Sequence, residues 1–376
     1  MASTYKEIGA NDIIKTNTNL HESIPITGAV VSGTYGTFPS GSNIKYFSAV
    51  DHVDIYDYPY ASSSANFIFS MTAGVASGSD LYDSEGATWS MQDKKANMYR
   101  QFAQQYVGYD QNQSVIPFNR SGTLNPLDTW MVASGDKIDS MVFLDFSRVL
   151  MKDEIKKGSF EMTLKTGSWD SVYFKTAGAN AELLTISDAH ATDTTGYKDN
   201  SPMGQYGLLK VGTATTPVPT WTDYGFVFYQ AGLVALLGNP NMWGTEMISG
   251  STVITMFNPP VAQEPDEAFI SSSIENLVNG ARAAIKNIQF NNTTELNSTI
   301  YFCRANANEF NYSSNPSFTS ASKMVVKNVA TDPTVTYLTT VGLYSADNEL
   351  LAVAKVSEPL KKRSDTEFTL RVRLDY

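Results

Sequence analysis

One cysteine and three histidines in 376 residues leave little material for metal or nucleophile chemistry. A lone thiol, Cys303, excludes an intramolecular disulfide framework and a multi-cysteine zinc site. It sits in the apolar run "TIYFCRA", where a small buried hydrophobe is the expected role. His21, His52 and His190 are scattered, with none at ligand spacing from another. Charge is also scarce. Charged residues make up 17% of the chain and the formal net charge is -11, so a basic face able to displace counterions from nucleic acid is not expected. The densest basic cluster, Lys361, Lys362 and Arg363, reads as the solvation of a hairpin turn. No uninterrupted apolar stretch reaches spanning length, and "MASTYKEIGANDII" lacks the basic-then-apolar order of a signal peptide. These absences predict a soluble chain made in a reducing cytoplasm, with neither a membrane nor nucleic acid as partner.

Tyrosine (20), phenylalanine (19) and glycine (25) are plentiful, with Ser, Thr and Asn in the place that Lys and Glu usually fill. Such a mixture suits strands joined by polar turns. The expected fold is mainly β with a few helices (α+β), in antiparallel β-sandwich-like domains with long loops. Residues 1–45 read as an N-terminal arm, Gly/Ser-punctuated in "VVSGTYGTFPSGSN" and lacking periodicity, whose order would depend on partners borrowed from another surface. Residues 46–262 read as a β-rich body with a loop-heavy segment at 167–260, and 263–376 as a C-terminal α+β assembly domain. The connection "NPPVAQEPDE" reads as a linker.

Two helices are expected. In "DKKANMYRQFAQQYVG", Met98, Phe102 and Tyr106 share a face flanked by Tyr99 and Ala103, with Gly108 placed to end it. In "SSSIENLVNGARAAIKNIQF", over 272–289, Ser272 and Glu275 have capping-box spacing ahead of a stripe of Ile274, Leu277, Val278, Ala281, Ile285 and Ile288. Around Gly158 the pattern is strand, helical turn, strand, with Phe160, Met162 and Leu164 alternating against Glu161, Thr163 and Lys165. "SADNE" is a hairpin turn. Phe368, Leu370, Val372, Leu374 and Tyr376 alternate strictly with polar residues, the period of a half-buried strand. Such a strand is held by its own sheet or by a neighbouring subunit, and the first is preferred. "FSRVLMKDEIKKGSFEMTL" echoes "VSEPLKKRSDTEFTLRV" in strand end, basic turn and aromatic-led strand.

Catalytic signatures are missing: no G-x-S-x-G elbow, H-E-x-x-H, phosphate loop or G-x-G-x-x-G opening a helix occurs. Asp51, Asp54 and Asp57, followed by Asp80, Asp83 and Glu85, could converge on a hard cation, but their spacing fails the calcium-loop pattern. An acidic loop is the simpler reading. Trp89, Trp169, Trp221 and Trp243 lie in polar loops and could serve saccharides or protein partners; the second is favoured. No cofactor and no metal are expected.

The closing "TTVGLYSADNELLAVAKVSEPLKK…LRVRLDY", with "KIDSMVFLDFSRVLMKDEIKKGSFEMTL" and "SIENLVNGARAAIKNIQF", resembles virion structural proteins of contractile-tailed bacteriophages. The likeness is to the large, cyanophage-like phages of marine and freshwater bacteria, over residues 136–166 and 268–376. That resemblance implies a tail protein, most plausibly of the baseplate, carried in the virion and assembled with other tail proteins as a homo-oligomer in a symmetric array. It carries no catalytic residues to transfer. A receptor- or glycan-binding tail protein, or a head-decoration or neck protein, is the alternative. The expected interface residues are Tyr35, Phe38, Phe368, Leu370, Val372, Leu374 and Tyr376.

Overall fold

In a computed structural model the chain is mainly β with few helices, built around a large antiparallel sheet. The structure describes residues 5–25, 44–47, 51–57, 60–77, 92–110, 112–119, 137–169, 177–192, 196–211, 223–238, 269, 273–313, 319–320, 323–324 and 335–376. The expected linker, Ser272, and Trp89, Trp221 and Trp243 lie outside them.

Strands in chain order are β1 (Ile13–Pro25), β2 (Ile44–Tyr46), β3 (Val53–Tyr56), β4 (Phe67–Val75), β5 (Ser140–Phe146), β6 (Glu154–Ile155), β7 (Glu161–Trp169), β8 (Ala177–Ser187) and β9 (Tyr197–Ser201). They continue with β10 (Gly204–Val211), β11 (Asp223–Phe228), β12 (Leu233–Leu237), β13 (Ile285–Ala305), β14 (Thr319–Ser320), β15 (Lys323–Met324), β16 (Thr336–Tyr344), β17 (Leu350–Lys362) and β18 (Phe368–Asp375). The helices are α1 (Gln92–Tyr106), α2 (Arg148–Met151) and α3 (Ile274–Ala284). None of the described helices is long and apolar enough to cross a membrane.

The chain divides into His21–Thr294 and a second unit made of Met1–Leu20 with Glu295–Tyr376. These divisions fall away from the expected boundaries near 45 and 262. Segment 1–20 groups with the C-terminal segment because β1 lies beside β13, which runs through the second boundary.

In the body, the strand order is β13–β7–β8–β10–β11–β12–β5–β4–β3–β2, and every pair of strands is antiparallel. β5 and β13 stand six places apart in that order. Yet the rings of Phe146 on β5 and Phe290 on β13 are 5.2 Å apart, with Phe160 against both. The sheet therefore curls over to face itself, as the sandwich-like expectation requires. Between the facing halves lies a core that includes Phe69, Met71, Val142, Leu144, Met162, Leu164, Ile285 and Ile288.

α1 covers the other side of β5, over Met141, Phe143, Phe226 and Phe228. Its buried face is Ala96, Tyr99, Ala103 and Tyr106, so it is turned by one position from the expected one, with Met98 and Phe102 only partly buried. The turn has a cause. A Cβ on Gly74 of β4 would stand 2.7 Å from the backbone nitrogen of Tyr99, so helix and strand touch at backbone distance there. The helix ends where Gly108 adopts φ +99°, its N–H bonding back to the Ala103 carbonyl at 3.0 Å.

α3 is shorter than its stripe suggested. Ile274, Leu277, Val278 and Ala281 are buried on it, but Ile285 and Ile288 belong to β13. β7 offers these β-branched residues an open ladder, pairing Leu164 with Ile285 and Met162 with Ile288. Tertiary pairing overrides helical period at that point.

A buried carboxylate ties the end of β8 to the segment before β7 and to Tyr229 after β11. Asp188, fully buried after β8, accepts the Gly158 and Phe160 N–H groups at 2.8 Å each and the Tyr229 hydroxyl at 2.9 Å. Burial pushes its pKa up to about 6 against those three donors, and pushes the Tyr229 phenol up as well. Lys95 is the buried cation of α1. Its ammonium donates to the Phe269 carbonyl at 2.6 Å, and burial pulls it down to about 8.

Candidate assembly surface

The second unit has almost no interior. Among its described residues only Ile300, Ala305, Leu343 and Val372 are buried apolar side chains, each 6–8% exposed. Of the sixteen exposed large hydrophobic residues in the described chain, twelve fall in this unit. A β unit so poor in core cannot draw its stability from burial of its own side chains.

The unit is held instead by ladders and polar staples. β18 pairs antiparallel with the second half of β13, from Phe368 opposite Ala305 to Asp375 opposite Ser298. Tyr376 extends the ladder by exchanging two backbone bonds with Asn297, at 2.8 and 3.0 Å. The terminal strand is thus held by its own chain, the preferred of the two expectations. The sequence echo has a structural counterpart: β7 pairs with the first half of β13 and β18 with the second.

The N-terminal segment is tied to the same strand. Lys6 donates to the Arg304 carbonyl at 3.0 Å and pairs with Glu309, and Arg304 Nε donates to Asp12 Oδ1 at 2.8 Å. Asn17 bonds Glu295. The Lys6 hydrogen bond, first among its causes, holds the Glu309 carboxyl below its usual range. Residues 5–20 of the arm find partners within this unit of their own chain, His21, Glu22 and Ile44 find theirs in the body, and Tyr35 and Phe38 lie outside the described residues.

Lys362 corrects the expectation of a solvated basic turn. It is fully buried, and its ammonium donates to the Ala307 carbonyl at 3.0 Å, Asn311 Oδ1 at 2.9 Å and the Arg363 carbonyl at 2.7 Å. Three good acceptors offset the cost of taking an ammonium out of water. The turn itself is closed by Arg363 and Thr366.

The β16–β17 hairpin presents the most apolar exposed face. Its turn is "SADNE" as expected, with Ser345 N–H bonding the Glu349 carbonyl at 2.8 Å and Asn348 at φ +62°. Leu343 and Ala352 face inward, while Leu350, Leu351 and Val353 stand 53%, 67% and 51% exposed. The Tyr344 ring lies over Gly342, where a Cβ would meet it at 2.9 Å, and Tyr5 stacks on Tyr344 at 4.3 Å. Tyr337 (61% exposed) stands on the same hairpin and Tyr312 (62% exposed) elsewhere in the unit. The register slips between Leu343 and Tyr344, which leaves Leu351 unopposed and thrusts it outward.

Of the expected interface residues, Val372 is buried and Phe368, Leu370 and Leu374 are half-buried on the same face of β18, whose edge pairs with β13. β13 supplies the matching ladder edge that the sequence pattern could not locate. Tyr376 remains 70% exposed, with its hydroxyl 3.0 Å from Thr299 Oγ1. The hairpin residues were the missed ones. Their signal was the adjacent pair Leu350–Leu351, which places apolar side chains on both faces of one strand.

The other candidate chemistry resolves into structure. Asp54 accepts the Ser70 hydroxyl at 2.6 Å, Asp57 accepts the Asn66 backbone and side-chain N–H groups at 2.6 and 2.8 Å, and Asp51 pairs with Lys94 at 3.1 Å. Asp80, Asp83 and Glu85 lie outside the described residues. Among the described residues no three His, Cys, Asp or Glu side chains converge to hold a metal ion. His21 meets Thr293 at 3.2 Å and His52 stacks on Phe47. Cys303 is half-buried opposite Leu370, less buried than expected, and burial followed by the nearby Asp12 charge raises its thiol. A raised thiol is a poor nucleophile at neutral pH. Trp169 ends β7 opposite Ala177.

The chain matches no known family model, no curated protein and no solved structure.

Proposed function

We propose that this chain is a non-enzymatic structural subunit of a bacteriophage virion, a baseplate component of a contractile tail that assembles with other tail proteins in a symmetric array. The observation that carries the reading is the inverted second unit, with four buried apolar side chains and twelve large exposed ones among its described residues. An exposed apolar surface rich in tyrosine and leucine is what a protein–protein contact uses as its anchors. The resemblance of the closing segment to phage tail proteins supports the same reading. Mechanical function asks nothing more of the chain than complementary surfaces, and any switch on host contact would draw on interfaces that differ between two states of the array.

The test is a phage that carries this gene with a nonsense codon. Particles grown without suppression should lack assembled baseplates and accumulate separate heads and tail parts. Normal particles that lack the chain, together with turnover of a small substrate by the purified protein, would overturn the proposal. Density for the chain at the head or neck, in a cryo-EM map of the virion, would move it to another part of the particle.

A further inference from the structure

We propose that a cleft in the body, between the end of α1, the β5–α2 corner and the β9–β10 and β11–β12 turns, is a binding site for a neutral saccharide. The cleft is shallow and open to solvent, has a volume of about 620 Å³ and is lined by Gln105, Tyr106, Asp145, Arg148, Met203 and Gln230, among others. That volume lies inside the range of roughly 300–1,000 Å³ typical of small-molecule sites.

The lining selects the ligand by its charge balance. Asp145 and Arg148 open onto the same cleft, and neither forms an ion pair among the described residues. A cation drawn to Asp145 meets the Arg148 guanidinium, and an anion drawn to Arg148 meets the Asp145 carboxylate. A hydroxyl both donates and accepts, so neighbouring hydroxyls of one sugar ring can satisfy the carboxylate and the guanidinium together. Gln105 and Gln230 add amides that do the same. Met203 and Pro202 supply apolar wall for the C–H face of such a ring.

The walls are fixed before any ligand arrives. Arg148 Nη1 donates to the Gln230 carbonyl at 2.8 Å. Gly204, at φ +89°, lies so close to Gln230 that a Cβ there would stand 2.7 Å from its Oε1. The Ser201 hydroxyl ties the β9–β10 turn to the Tyr106 carbonyl at 2.5 Å and accepts the Met203 N–H at 3.1 Å. Tyr106 forms a floor that is 5% exposed. Gln105, Asp145, Arg148 and Gln230 stand exposed around the rim, while burial, then the Asp145 charge, pushes the Tyr106 phenol beneath them up to about 12. Polar groups held in place reward a ligand able to match their arrangement.

The test uses the full chain and a panel of glucose, galactose and N-acetylglucosamine, with glucosamine as cationic and galacturonate as anionic analogues, followed by saturation-transfer NMR and calorimetric titration. At least one neutral sugar should bind at millimolar concentration and more tightly than its charged analogue. Asp145→Asn and Arg148→Gln, with unchanged circular dichroism, should each weaken that binding about tenfold, the factor for one lost charge-assisted hydrogen bond. Failure of all three neutral sugars to bind, preference for glucosamine or galacturonate, or binding that survives both substitutions would overturn the proposal. Tyr337→Ser, which alters the assembly surface alone, should leave sugar binding intact, so the two readings fail separately.

Discussion

Replacing Asp188 by Asn should change the pH dependence of stability in a direction that the structure fixes. In the folded chain the Asp188 pKa is raised from the ordinary carboxylate value of 3.8 to about 6, because desolvation outweighs three hydrogen bonds. A carboxyl whose folded pKa is raised binds its proton more tightly when folded. Its stabilising contribution is therefore complete below the unfolded pKa and is lost as pH rises through the folded one. At about 1.36 kcal/mol for each pH unit between the two values, the loss from pH 4 to pH 7 comes to about 2–3 kcal/mol. Asparagine at this position cannot titrate, but its amide nitrogen turns donors against donors at one of the two carboxyl oxygens. The cost is about 1–3 kcal/mol for each N–H or O–H left unsatisfied. At pH 4 the folded Asp188 carboxyl is itself protonated and carries an O–H donor of its own, so the expectation is the slope. The stability gap, unaltered chain minus variant, should fall by about 2–3 kcal/mol from pH 4 to pH 7. The assay is urea unfolding at pH 4, 5, 6 and 7, comparing midpoints of the transition reported by tyrosine burial. Since every other titrating group is common to both chains, the difference isolates Asp188. A gap that stays flat, or widens as pH rises, would refute the reasoning.

Gly74→Ala should destabilise the body by about 2–4 kcal/mol, since a Cβ would force the backbone of α1 away from β4. Gly9→Ala, with nothing within 4 Å of its Cβ, should be close to neutral in the same thermal melt. Lys362→Met should leave Asn311 Oδ1 without its donor, at about 1–3 kcal/mol, while the Ala307 carbonyl keeps the Asn311 side-chain amide and the Arg363 carbonyl keeps Thr366. Hydrogen exchange should then speed up in residues 307–311 and along β16–β18, while the body's protection stays as it was.

Elements with a simple period were legible in the sequence. The alternation of Phe160, Met162 and Leu164, the "SADNE" turn and the terminal strand are each written in a pattern a few residues long, even where the ladder partner is distant, and all are present. The end of α3 was not legible. Ile285 and Ile288 fit a helical stripe and a buried strand alike, and only the edge of β7, more than a hundred residues earlier, decides between them. The rotation of α1 has the same origin, since Gly74 gives no local sign that a helix will press against it. Lys362 looked like a solvated charge because its three acceptors come from the 307–311 segment and from its own turn. At the candidate surface, composition pointed to aromatic and aliphatic side chains. Which of them face outward is set by pleat and register: Val372 lies on the buried face of β18, and a register slip turns Leu351 out of the hairpin.

The central claim is that the exposed apolar side chains of the second unit are covered by neighbours when the chain is at work. Hydroxyl-radical footprinting of the free protein and of intact phage particles measures this directly. Tyr337, Leu351 and Val353 should be reactive in the free chain and protected in the particle. Equal reactivity of these three residues in both states would contradict the account.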